Sequence, residues 1–297
     1  MFEIANMDTR PEMSRSPETD EWRMPEAKEM SRPSEYRSLN CDLDLNEFVW
    51  MNADESPAIL RQTFAMRYSV YCLERNYLNP DHYDDNYETD EFDDISIHLA
   101  IRHKLCSDVT ATARIVVSDT PDRHAPTLPL YRHCDVEPKI QHTLTNLDTI
   151  GEVSRLAISK SAIHHAINSK KLHSENGFDD LTSVLTPTSA NLSAMLVLYK
   201  SIYQTSRVNG INYLLAAMEK SLRRLFQKFH FPFHQIGKEV DYYGPVAPFI
   251  LDLNELDAVL SARMPWLLAE FRDGLDDNAS AYGPKLGARF VNATTEI

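Results

Sequence analysis

The sequence predicts an α+β fold in which helices flank a mixed β-sheet. Two observations lead to this prediction. Helical and strand-like hydrophobic patterns alternate from about residue 45 to residue 271. A short polar link joins the first two strands, as in a hairpin, whereas helices separate most of the later strands.

The first half is expected to begin with an amphipathic helix, because its inward-facing residues recur at spacings of three and four. In order, the expected elements are a helix marked by Leu60, Phe64, Arg67 and Tyr71, an acidic loop over 79–94, and strands over 95–101, 110–117 and 153–158.

The second half continues with alternating helices and strands. In order, the expected elements are a helix from Leu192 to Tyr203 that ends near Gly210, a strand over 213–217, a helix over 222–229, strands over 231–236 and 247–253, and a closing helix over 256–271.

One domain, over 43–273, is expected between two loose ends. Residues 1–42 are rich in Pro, Ser, Glu and Arg and predict a disordered polar tail. The polar segment 161–187 is interpreted as an insertion or a lid, and 274–297 as a loose C-terminal tail.

The bulk composition excludes several classes of protein. The formal net charge of −14 argues against nucleic acid as a partner, and no apolar run reaches the ~18 residues of a membrane span. The N-terminus is polar rather than signal-like, so the cytoplasm is the expected location.

The four cysteines have no C-x-x-C spacing, so a disulfide framework or zinc site is not expected. A catalytic cysteine paired with a histidine stays open. The histidines His164, His165 and His173 lack metal-ligating spacing, so neither a metal nor a bound cofactor is predicted.

Two arginines occupy positions where apolar residues are expected. Arg67 lies on the apolar stripe of the first helix, and Arg114 lies in the middle of a strand. A buried guanidinium needs a carboxylate partner. The alternatives are that Arg67 extends to the rim of the stripe and that Arg114 is on an exposed strand face.

Further charges point to one cluster. Glu152 and Arg155 open an apolar strand, and the run 88–94 supplies five carboxylates before the first strand. Alone, such a run is typical of a solvated loop. Together with the inward-looking arginines, it predicts a cluster of buried ion pairs.

These residues resemble the motifs of the N-acyl-homoserine-lactone (autoinducer) synthases. The matching motifs are Arg67-x-x-x-Tyr71, Glu88-x-Asp90-x-x-Asp93, the strand residue Arg114, and Glu152-x-Ser154-Arg155. Tyr71 stands where the family has Phe, and the long insertion also departs from the pattern.

Beyond residue 190 the chain is more similar to a sister group, the acyltransferases associated with the PEP-CTERM/exosortase system, which are relatives of the N-acyl amino acid synthases. The similar segments are Ala217-Met218-Glu219 and Ile236-Gly237-x-x-Val240-x-Tyr242-x-Gly244-x-x-x-Pro248. The resemblance covers roughly 55–260. It implies a GNAT-like fold in which two central parallel strands splay apart, with the acyl chain on one side and the acceptor on the other.

The expected function is transfer of a fatty acyl group to the amine of an amino acid or a related small acceptor. The resemblance implies an acyl carrier protein as donor. Between Ile158 and Leu192 the chain has no Gly-x-Gly to hold the diphosphate of coenzyme A, which favours the same donor. Acyl-CoA stays an alternative co-substrate. A basic helix face over Lys220, Arg223, Arg224 and Lys228 is the candidate docking surface, or else a solvated face.

Glu152 is the candidate base, directly or through water, with its charge set by Arg155 and Arg114. Ser154 is a candidate for orienting the acceptor, or a plain strand serine. The paired role of Glu152 and Arg155 requires a β-bulge, because the two residues face opposite ways in a regular strand.

The remaining charged residues are expected to have a structural rather than a catalytic role. The cluster of Arg67, Asp90 and Asp93 is expected to brace the first helix and to contact the acceptor. Two alternatives stay open: a homoserine-lactone synthase that uses S-adenosylmethionine, and an inactive acyl-binding or scaffold module.

Overall fold

The computed structural model describes residues 43–117, 128–136, 150–164, 168, 187–242 and 244–275. The predicted N-terminal tail, most of the predicted insertion and nearly all of the C-terminal tail lie outside these residues. The domain boundaries therefore stay predictions.

The described residues include eight strands and six α-helices. The strands are β1 (Phe48–Asn52), β2 (Ser96–His103), β3 (Val109–Val117), β4 (Ile150–Ile158), β5 (Tyr213–Glu219), β6 (His234–Gln235), β7 (Val240–Asp241) and β8 (Pro245–Asp252). The helices are α1 (Pro57–Tyr68), α2 (Pro129–His133), α3 (Pro187–Val208), α4 (Lys220–Lys228), α5 (Leu253–Arg263) and α6 (Pro265–Arg272).

All eight strands form one sheet in the order β1-β2-β3-β4-β5-β8-β6, and β7 also pairs with β8. Its neighbours are antiparallel except for β4 and β5, which run parallel. This mixed sheet confirms the predicted fold class.

The two faces of the sheet have different covers. Ala113 and Ile115 of β3 pack into the main core, which holds residues of α3, α5 and α6. Strand residues alternate in direction, so Arg114 and Val116 point to the opposite face. That face is covered by α1 and α2, which contribute to two smaller cores.

α1 and α3 have ends that their sequences explain. Pro57 occupies the first position of α1, where a missing N–H costs nothing. Beyond α1, Ser69–Glu74 continues as a π-helix. After α3, Gly210 adopts φ +71°, the left-handed conformation that commonly terminates a helix and that glycine adopts without a steric penalty.

The structure differs from the sequence predictions in several elements. β1 was not predicted; it is a short strand at the edge of the sheet with a mixed burial pattern. The closing helix is two helices, because Pro265 cannot continue the hydrogen bonding of α5. The strand predicted over 231–236 is reduced to His234–Gln235, and the next strand ends at Asp252, whose side chain caps α5.

No described helix has the length and apolarity needed to cross a membrane.

Candidate active site

Arg67 of α1 is buried and fully paired. Its side chain is 1% exposed; Nε donates to Glu88 Oε2 at 2.5 Å and Nη1 donates to Asp93 Oδ1 at 2.7 Å. Burial alone would lower the pKa of Arg67, but the charges of Glu88 and Asp93 raise it above its usual value. The prediction of a buried, paired guanidinium is confirmed, and the rim alternative is wrong.

Arg114 of β3 extends this network. It is 1% exposed and donates to Asp90 at 2.5 Å and to Asp93 at 2.6 Å. Its Nε also donates to Ser154 Oγ at 2.9 Å. The alternative of an exposed strand face is therefore wrong.

Arg155 sits at a bulge in β4. Thr112 faces Ala157 and Arg114 faces Ser154, so β4 carries one extra residue between these pairs. Arg155 adopts φ +50°, a strained conformation for a residue with a side chain. The bulge lets its guanidinium reach Glu88 at 3.0 Å and Asp90 at 2.8 Å. The bulge that the paired role requires is therefore present.

We call these six residues the acid–arginine cluster: Arg67, Arg114, Arg155, Glu88, Asp90 and Asp93. Burial would raise the pKa of the two aspartates, but hydrogen bonds from the arginines, and from His98 to Asp93, hold both values below the usual range. The other two acids of the run, Glu91 and Asp94, are exposed.

His98 is a fourth cation at the cluster, and sequence reasoning missed it. Its Nδ1 lies 2.7 Å from Asp54 Oδ1 and its Nε2 lies 3.1 Å from Asp93 Oδ1. Carboxylates only accept hydrogen bonds, so both ring nitrogens must carry a proton to satisfy both contacts. Burial lowers the pKa of His98, but the two carboxylates raise it above its usual value. The available signal was a histidine among the apolar residues of 97–101.

Glu152 of β4 lies apart from these pairs and is 3% exposed. Its Oε2 accepts a hydrogen bond from the backbone N–H of Leu130 in α2, at 2.8 Å. Burial raises the pKa of Glu152 to about 8, against the opposing effects of this hydrogen bond and of Arg114 and Arg155. A carboxyl group with this pKa can exchange protons near neutral pH.

Glu152 stands where the sheet opens. β4 and β5 pair only through Ile150–Tyr213, Gly151–Leu214 and Glu152–Leu215. No further β4–β5 pair occurs among the described residues, so the facing strand edges carry backbone groups without a strand partner. The expected splay of two central parallel strands is confirmed.

The gap between the strands leads into a cavity of about 920 Å³. Apolar residues of the main core line one part, among them Met195, Leu214, Ala216, Phe231 and Leu251. Polar residues line another part, among them Tyr71, Arg75, Glu152 and Ser154. The volume and the mixed lining are typical of a small-molecule site.

Tyr71 stabilises the bulge. Its hydroxyl donates to the carbonyl oxygen of Leu156 at 2.8 Å, and the guanidinium of Arg155 lies 5.8 Å from the centre of its ring. Burial raises the pKa of Tyr71 to about 12, so the phenol stays protonated. A phenylalanine here could not make the hydrogen bond to Leu156.

The predicted basic face of α4 is only partly open. Arg223 is half-buried, with its guanidinium 5.4 Å from the centre of the Phe249 ring. Lys220 pairs with Glu239 at 2.9 Å. Arg224 and Lys228 are exposed, and Lys228 also borders the cavity.

The structure describes only some of the remaining candidates, which are histidines and cysteines. His165 and His173 lie outside the described residues, so the metal alternative stays untested. Cys72, Cys106 and Cys134 are free thiols. Cys134 borders the cavity, and burial together with the charge of Glu152 raises its pKa to about 11, which disfavours the thiolate.

Comparison with known proteins supports the same fold. Residues 66–170 match the model of the acetyltransferase (GNAT) domain family. A comparison with curated protein sequences gives no match.

Among solved structures, the chain is similar to three acyltransferases. The AHL synthase LasI is 14% identical with a TM-score of 0.45, covering 70% of this chain and 90% of LasI. FeeM, an N-acyl amino acid synthase from uncultured soil microbes, is 14% identical with a TM-score of 0.46, covering 73% of this chain and 97% of FeeM. BjaI, a CoA-dependent acyl-homoserine lactone synthase, is 16% identical with a TM-score of 0.46, covering 76% of this chain and 88% of BjaI.

The matched segment holds the acid–arginine cluster and the splayed strand β4, so this chain contains a GNAT-like acyltransferase domain.

Proposed function

We propose that this enzyme moves a fatty acyl group from an acyl carrier protein to the amine of an amino acid or a related small molecule, with Glu152 as the base. The observation that carries this proposal is the position of Glu152. It is a buried carboxyl group with a pKa of about 8, at the point where β4 and β5 part over the cavity.

The reaction requires three events at this point. The amine nitrogen attacks the thioester carbon, and Glu152 takes the proton that the nitrogen loses, directly or through a water molecule. The bond between the acyl carbon and sulfur then breaks, and the leaving thiolate takes the proton back from Glu152. Backbone N–H groups along the parted strand edges are suited to polarise the carbonyl oxygen.

Ser154 is suited to orient the acceptor. Its oxygen already accepts a hydrogen bond from Arg114, which leaves its own proton for a further partner. Arg75, exposed at the opening of the cavity, is suited to bind a carboxylate, and no acid within the described residues forms an ion pair with it. Both groups are donors, and they support an acceptor that carries a carboxylate besides its amine.

The apolar part of the cavity supports a fatty chain as the transferred group. Each buried methylene contributes about 0.8 kcal/mol, so a long chain would be held firmly in a lining of aliphatic and aromatic residues. The phosphopantetheine arm of a carrier would then enter past Lys228, whose exposed ammonium borders the opening.

The test of the base is Glu152→Gln, which keeps the shape of the side chain and an oxygen to accept from Leu130. We expect at least a hundredfold loss of amide product, measured by mass spectrometry with acyl carrier protein and candidate amines. Glu55→Gln, an exposed glutamate outside the site, is the control and should keep its activity. Full activity of Glu152→Gln would remove the base assignment.

The choice of donor and of acceptor is tested separately. The double reversal Arg224→Glu, Lys228→Glu should raise the KM for an acyl carrier protein severalfold and leave the KM for acyl-CoA nearly unchanged, because the carrier is acidic. Equal effects on both donors would contradict the docking surface. Formation of a lactone product from S-adenosylmethionine, and not of an acyl amino acid, would favour the autoinducer alternative.

A further inference from the structure

One motif of the sequence has no part in the chemistry above. The segment 236–248, without the undescribed residue 243, contacts residues 128–136, which carry α2 and which we call the α2 loop. Gly237 pairs with Val136 in an isolated antiparallel bridge. The ring of Tyr242 stacks on that of His133, with centres 3.9 Å apart and planes 11° apart. Two contacts thus hold the α2 loop at its C-terminal side.

Gly237 allows the closest of these contacts. A Cβ atom at this position would lie 2.1 Å from the backbone oxygen of Asp135 and 2.8 Å from Cγ of Pro248. Pro248 is held in β8, and its carbonyl oxygen accepts a hydrogen bond from the N–H of Ile236 at 2.9 Å. A side chain at position 237 would therefore displace Asp135, two residues beyond the end of α2, rather than β8.

α2 in turn contacts Glu152 through a backbone group. Pro129, at the first position of α2, has no N–H, so Leu130 carries the first free donor of the helix. That N–H donates to Glu152 Oε2 at 2.8 Å. Leu130 and Val136 share a small core with Ile236, so a displacement at one end of the loop reaches the other.

We propose that Gly237 is a positioning residue, which holds the α2 loop so that the N–H of Leu130 stays on the Glu152 carboxylate. The inference rests on the proposed role of Glu152 as the base. It assigns to the segment 236–248 the task of keeping that carboxylate ionisable in a site otherwise too buried for a charge.

The test is the pH dependence of acyl transfer by Gly237→Ala. Loss of a hydrogen bond to the ionised form makes the carboxylate harder to form. We expect the rate of the variant, divided by that of the wild type, to be about tenfold lower near pH 7 and to recover as the pH rises, since one unit of pKa changes the ionised fraction about tenfold. The ratio at each pH cancels the ionisation of the acceptor amine. Gly274→Ala, at a left-handed glycine with open space around it, is the control for general destabilisation and should give a ratio that does not vary with pH.

A second pair of variants covers the case in which Gly237→Ala does not fold. Tyr242→Leu removes the ring stacked on His133, whereas Tyr242→Phe keeps it, so only the leucine variant should show the pH-dependent ratio. The positioning role would be overturned if the rate of each variant, divided by that of the wild type, did not vary with pH for both Gly237→Ala and Tyr242→Leu. If Gly237→Ala does not fold, the same result for Tyr242→Leu alone would overturn it. A Glu152→Gln enzyme of full activity would instead overturn the proposed function.

Discussion

The acid–arginine cluster and Glu152 lie on the same face of the sheet, yet their charges are compensated to very different degrees. In the cluster, three arginines and His98 face Glu88, Asp90, Asp93 and Asp54, so that four cations meet four carboxylates. Glu152, in contrast, accepts a hydrogen bond from the backbone N–H of Leu130.

This difference separates the structural role of the cluster from the proposed catalytic role of Glu152. Pairing lowers the pKa values of Asp90 and Asp93 and raises those of Arg67 and Arg155, so none of these groups exchanges protons near neutral pH. Burial, only partly compensated by nearby charges, raises the pKa of Glu152 to about 8 instead, which makes it the group suited to acid–base catalysis. The two regions should therefore respond to mutation in opposite ways.

The largest effect on stability is expected for Arg67→Ala. It removes the nearest cation of Glu88, which is fully buried, and one of the cations paired with Asp93. Removal of one partner from a buried pair typically costs about 3 to 5 kcal/mol, which chemical unfolding would measure. Lys220→Ala removes a partner from an exposed pair and should cost less than about 1 kcal/mol. Similar losses for the two variants would contradict a bracing role of the cluster.

Glu152→Gln should instead become more stable relative to the wild type as the pH rises. The folded-state pKa of Glu152 lies above its usual value of 4.5, so its contribution is complete below about 4.5 and is lost as the pH rises through about 8. Glutamine does not titrate. The variant should therefore become more stable than the wild type over this window, by a few kcal/mol at most, since each unit of pKa is worth about 1.4 kcal/mol.

Unfolding at several pH values measures this gain. A variant less stable than the wild type at pH 9 would contradict the distinction between Glu152 and the cluster, because Glu152 would then be a stabilising charge like those of the cluster.

The sequence predicted the cluster well because its members break a local pattern. Arg67 and Arg114 stand on apolar faces, and burial of a guanidinium without a carboxylate is too costly to occur. The splay of β4 and β5 came from the resemblance, and no local pattern marks where two parallel strands stop pairing.

Other parts of the site could not be read from the sequence. The N–H of Leu130 is a backbone group, which every residue except proline has, so nothing in the sequence marks it as the partner of Glu152. The close approach of Gly237 to Asp135 joins segments about a hundred residues apart. β1 was missed although Phe-Val-Trp-Met suits a strand, because a short edge strand with mixed burial has no clear alternation.

The smallest change in stability is expected at His98, beside the acid–arginine cluster. His98→Gln removes the fourth cation, and we expect a loss of about 1 to 2 kcal/mol near pH 6, because two charged hydrogen bonds are replaced by weaker ones. The pKa of His98 is raised on folding, so its contribution is complete below the unfolded value of about 6.5 and is lost as the pH rises through the folded value. The difference between variant and wild type should therefore shrink in alkaline solution. His234→Gln, which alters an exposed pair with Glu255, is the control and should change stability little at any pH. A loss for His98→Gln that stays constant with pH would mean that the imidazole fills space and does not balance the charge of Asp54 and Asp93.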